Sequence, residues 1–118
     1  MDAEKIDLEK INTLEKIQDS IEIVEGAREN QGLNRLEKNQ LQVASVRLRK
    51  LERSLIKKIQ SELVASLAAD SRALKELSLQ IKQTSDKLSG VAATIEKAAN
   101  IVESFIKIVT AAGGIGLI

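Results

Sequence analysis

Apolar residues recur at helical spacing in three stretches of this chain, and that spacing sets the expected architecture. The strongest stretch begins at Leu74. Leu74, Leu77, Ile81, Thr84, Leu88, Val91, Ile95, Ala98, Val102, Phe105, Val109, Ala112 and Gly116 alternate steps of three and four without a slip. This is a heptad with Leu74 at a and Leu77 at d, sustained for about six repeats. Lys75, Glu76, Lys82, Asp86, Glu96, Lys97, Glu103 and Lys107 fall at b, c or f and Lys87 at g, so no charge occupies the seam. The pattern predicts one long helix over about 71–112. Its seam widens after Val91, where Ala92, Ala99 and Ile106 fill e while Ile101, Ile108 and Ile115 fill g. A two-stranded coil carries charges at e and g, so this surplus predicts more than one neighbouring helix. Thr84, a polar residue at d, is expected to bond the carbonyl four residues before it.

The other two stretches are less regular. In about 2–25, Ala3, Ile6, Leu14, Ile17, Ile21 and Val24 share one face, interrupted by Lys10. Leu8, Ile11 and Ile23 lie off it, either as lone exposed residues or as a second contact face. Gly26 and Gly32 bracket the clearest break, of a length that joins antiparallel helices. In about 33–69, Leu41, Ala44, Leu48, Leu51, Leu55, Ile59, Leu63 and Leu67 form the stripe. Its later steps are all of four, which drift around a helix and predict a change of packing partner along it. A second break is expected at Ala68–Ser71, with Asp70 or Ser71 as N-cap. No Gly or Pro enforces it, so a continuous helix is the alternative.

Composition agrees with long helices. The 118 residues are 43% hydrophobic and 30% charged, with no Pro, Cys, His, Trp or Tyr and with Phe105 as the single aromatic. More than about three-quarters helix is expected. Net charge is +1, but it is segregated. Residues 1–25 hold eight acids and three bases, whereas residues 28–58 hold nine bases and three acids. These are natural partners within one chain or between two. Absence of Cys fits a reducing compartment, and the acidic start does not resemble a signal peptide, so the expected location is cytoplasmic.

Candidate chemistry is sparse. Catalysis at neutral pH usually draws on His or Cys, and neither is present. Glu15, Asp19 and Glu22 share a helix face but lack the His partners of a helical di-metal site, and read as a solvated acidic face. Gly113, Gly114 and Gly116 lie near the chain end without the strand and helix a phosphate loop needs. No enzyme activity, metal or cofactor is therefore expected. Arg49, Lys50, Arg53 and Lys57 cluster opposite the Leu48–Leu55 stripe, and a phosphate backbone would suit them. Near-zero net charge and no aromatic for base stacking argue instead for a solvated basic face, so nucleic acid is not the expected partner.

The apolar end, Ile108–Ile118, is too short to span a bilayer, which needs about 20 residues. It reads as the end of the seam or as a segment that inserts with copies from other subunits. The expectation is thus an all-α single domain: an antiparallel long-helix hairpin within a three-helix, coiled-coil-like bundle, oligomeric. Its expected function is non-enzymatic assembly, pairing with itself or a helical partner through the seam of Leu74, Leu77, Ile81, Leu88, Val91, Ile95, Val102, Phe105 and Val109. The alternative is a membrane-active helical protein using Ile101–Ile118.

Overall fold

The computed structural model describes residues 2–111. They form four helices: α1 (Asp2–Arg28), α2 (Arg35–Ile56), α3 (Ser61–Thr84) and α4 (Ser89–Ala111). Helix accounts for 87% of the described residues, above the three-quarters expected, with no strand among them. The seam positions Ala112 and Gly116 and the tail 112–118 lie outside the described residues.

The helix count corrects the three-helix expectation at two points. The break expected at Ala68–Ser71 is absent, and α3 runs through it. Asp70 and Ser71 are buried inside that helix and cap nothing; the Ser71 hydroxyl donates to Ala68 O at 3.0 Å. The chain breaks instead at 57–60, inside the run of four-residue steps. A straight helix from 33 to 69 would have carried Leu51, Leu55, Ile59, Leu63 and Leu67 around its axis and out of register with one partner. Breaking before α3 keeps Leu51, Leu55, Ile59 and Leu67 inside.

The second correction is larger. The heptad is not one helix: it folds back at 85–88 into the α3–α4 hairpin. Ser85 and Asp86 favour this turn by competing for backbone donors. The Ser85 hydroxyl accepts from Leu88 N at 3.3 Å, and Asp86 O accepts from Ser89 N at 3.3 Å. Thr84 does bond the carbonyl of Gln80, at 2.8 Å, as its helical position predicts. The first break is slightly displaced: α1 continues through Gly26 to Arg28, and the connection spans 29–34. There the Asn30 side chain accepts from Gly32 N at 2.8 Å.

Each helix packs on the next, and α4 returns to α1. Cross-helix pairs show that sequential neighbours are antiparallel. Lys75 meets Glu103 and Lys82 meets Glu96 between α3 and α4. Between α1 and α2, Glu25 meets Arg49, and Gln18 meets Glu52. Gln40 meets Thr84 and Lys50 meets Asp70 between α2 and α3. The result is a closed up-down-up-down bundle with extents of 49 × 20 × 18 Å. One continuous core runs along it from Ile6 and Val24 through Leu41 and Leu55 to Phe105 and Val109.

Candidate interaction surface

The expected interaction seam is internal. Leu74, Leu77 and Ile81 on α3, Leu88 at the turn, and Ile95, Val102, Phe105 and Val109 on α4 are all buried. Val91 is partly buried against the same core. The hairpin therefore pairs the two halves of the heptad with each other, and the rest of the bundle covers them. Among the described residues, the apolar e and g positions of α4 lie beside two neighbouring helices of the same chain. Ile106 and Ile108 pack against the core; Ile106 borders a cleft with Ala68, Ser71 and Arg72 of α3, while Ile101 and Ile108 border one with Glu9, Thr13 and Lys16 of α1. Small buried residues, Ala92, Ala98 and Ala99, let α4 sit close to both. The seam is thus unavailable to an outside helix in this fold.

What remains outside is sorted by charge. Glu15, Asp19 and Glu22 are exposed on α1. Among the described residues, no three His, Cys, Asp or Glu side chains come together as a metal site. The four residues of the basic face are exposed but diverge. Arg49 turns towards α1, its guanidinium 3.5 Å from Glu25. Lys50 turns towards α3, its ammonium 3.5 Å from Asp70. Lys50, Arg53 and Lys57, joined by Lys58, line a cleft of about 580 Å³ at the α2–α3 turn. Lys10, which interrupts the α1 stripe, reaches the same turn and donates to Lys57 O at 2.9 Å. A carbonyl just past a helix end is a favourable acceptor for an ammonium.

The opposite end of the bundle holds a polar cluster. Asn34 and Glu37 form a capping box: the Asn34 side chain accepts from Glu37 N at 2.8 Å, and Glu37 Oε1 accepts from Asn34 N at 2.9 Å. Its other carboxylate oxygen accepts from the Ser85 hydroxyl, so one acid ties the start of α2 to the α3–α4 turn. Lys87 completes the junction, donating to Gly32 O at 2.6 Å. The backbone bond from Asn34, then the Ser85 hydroxyl, then the Lys87 charge hold the Glu37 carboxyl below its ordinary range. The Asn-x-x-Glu spacing was the available sequence signal for this cap. Glu25 is lowered too, first by the Ser45 hydroxyl and then by Arg28 and Arg49.

Comparison with family models, curated proteins and solved structures finds no match to this chain. No described helix is long and apolar enough to cross a membrane.

Proposed function

We propose that the chain is a non-enzymatic assembly module that associates with helical surfaces, its own copies included, through outer helix faces rather than through the heptad seam. The observation that carries this reading is where the exposed aliphatics lie. Leu8, Ile11 and Ile23 on α1, and Leu36, Val43, Val46 and Ile56 on α2, are each at least 41% exposed. On α3 only Leu79 is comparable. Single exposed aliphatics are common, but their concentration on two adjacent helices favours contact with a partner. Covering them contributes roughly 25 cal/mol for each Å² of apolar surface removed from water. The absence of His and Cys from the sequence supports a role that needs no acid–base or nucleophilic group.

The membrane-active reading of Ile101–Ile118 asks more of the molecule. Val102, Phe105 and Val109 would have to leave the core before α4 met lipid. Light scattering coupled to size exclusion, with vesicle co-sedimentation on the same sample, tests the choice. A mass above one chain at micromolar concentration and no pelleting with vesicles is expected. A single-chain mass up to about 100 µM would remove self-association, and pelleting would favour the membrane reading.

A further inference from the structure

We propose that the outer face shared by α1 and α2 is a self-complementary docking surface for a second copy of this chain, with the two-fold axis parallel to the bundle. This rests on the assembly reading above and specifies its partner and geometry.

At 100° of turn per residue, Ile11, Glu15 and Glu22 lie on the side of α1 turned away from α4. By the same count Arg49 and Ile56 lie on the side of α2 turned away from α3, and Arg53 points straight out from the core, between this face and the cleft at the α2–α3 turn. All six are exposed. The face they share is acidic along one helix and basic along the other. The contacts between α1 and α2 fix the relative heights of these residues. Lys10 reaches Lys57 O at 2.9 Å, Gln18 reaches Glu52 at 3.2 Å, and Arg49 reaches Glu25 at 3.5 Å. Ile11 therefore stands level with Ile56, Glu15 with Arg53, and Glu22 with Arg49.

Charge then selects the symmetry. A two-fold axis lying in this face perpendicular to the helices would lay α1 on α1 and α2 on α2, acid on acid and base on base. An axis parallel to the helices lays each α1 on its partner's α2 and leaves every height unchanged. Ile11, 53% exposed, then meets the partner's Ile56, 65% exposed. Glu15 and Glu22 meet the partner's Arg53 and Arg49, and the two-fold repeats every contact. Arg49 keeps its bond to Glu25 and still offers donors, because a guanidinium has five. With the bundle 49 Å long and about 20 Å wide, the face is large enough for the ~800 Å² per partner of a standard interface. Apolar contacts at one end and opposed charges along the rest supply affinity and register respectively.

The test uses the full chain and two single charge reversals, Glu15→Lys and Arg53→Glu, followed by sedimentation equilibrium. Wild type is expected at twice the chain mass. Each reversal alone places like charges together twice per dimer, and should weaken dimerisation by at least about tenfold. An equimolar mixture should recover wild-type affinity as a heterodimer, because the introduced lysine then faces the introduced glutamate while the native pair is kept. Melting curves by circular dichroism at a dilution where all three proteins are single chains, expected to be similar, separate lost association from lost folding. Wild type running as one chain up to about 100 µM would overturn both the dimer and the self-association reading. Dimers indifferent to both reversals would overturn this face and leave assembly standing. Weakening by each reversal without recovery in the mixture would overturn the two-fold arrangement.

Discussion

Two residues in the interior carry opposite expectations. Asp70 is 4% exposed on α3; one carboxylate oxygen lies 3.5 Å from Lys50, and the other has no hydrogen-bond partner. A buried polar atom left unpaired costs about 1–3 kcal/mol. Asp70→Ala removes that atom and adds a better helix former, while Lys50 remains half in water. The variant should be at least as stable as wild type in urea unfolding; a loss of more than about 1 kcal/mol would mean that the Lys50 pair contributes more than its geometry suggests. Phe105, 2% exposed, should behave in the opposite way. Phe105→Ala loses transfer energy and leaves a cavity, at a cost of roughly 3–5 kcal/mol. A neutral melting temperature, together with lost vesicle binding, would instead favour the membrane reading of the C-terminal segment. Glu37 sets the acid response. A carboxyl lowered in the folded state contributes stability that is present above its unfolded pKa and lost as pH falls through the folded value. Stability should therefore decline below about pH 4.5, the ordinary glutamate value, with Glu25 contributing in the same direction. Glu37→Gln keeps a carbonyl acceptor for Asn34 N, turns an amide donor towards the Ser85 hydroxyl, and cannot ionise. Its stability should fall less steeply over that acid range, and an unchanged slope would remove Glu37 from the effect.

At the scale of elements, the helix ends are unequally secured. α2 begins with the Asn34–Glu37 capping box, whereas the N-cap of α3, Gln60, makes no side-chain cap bond. Gln60→Asp should supply one, beside Lys57 and Lys58, and raise stability by roughly 1 kcal/mol. An unchanged urea midpoint would show that another group already meets those amides. These ends also mark the limit of what was legible in the sequence. The Leu41–Leu55 stripe, the break after α1 and the back-bond of Thr84 followed directly from spacing and side-chain chemistry. The turn at 85–88 did not, because period reports which residues point inward and not whether the chain reverses between them. A straight helix and a hairpin closed in phase put the same residues on the inner face, here Ile81 before the turn and Leu88 at its end. Ser85-Asp86 and Ser89-Gly90 were the local clue. The break at 57–60 carried a weaker one, in four-residue steps without Gly or Pro. On the surface, the segregation of acid and base was legible. Which base turned to which neighbour was not, because Arg49 and Lys50 diverge only once α1 and α3 are in place.

For the whole molecule, the decisive property is that the heptad seam closes within one chain. This gives α4 its two neighbours, buries Phe105, and leaves most of the exposed aliphatics on α1 and α2. It also moves any association from the seam to the outer faces, where opposite charges lie side by side. A distance across the hairpin tests the closure most directly. The chain has no cysteine, so Lys75→Cys with Glu103→Cys offers two unique sites for spin labels. Lys75 and Glu103 form an ion pair across the α3–α4 hairpin, and both side chains reach solvent. With labelled chains diluted into unlabelled protein, pulsed dipolar spectroscopy should give a single short distance, under about 20 Å for labels on adjacent helices whose axes lie 8–10 Å apart. A distance near about 42 Å, the span of 28 residues in one unbroken helix at 1.5 Å each, would contradict the hairpin and return the seam to an external partner.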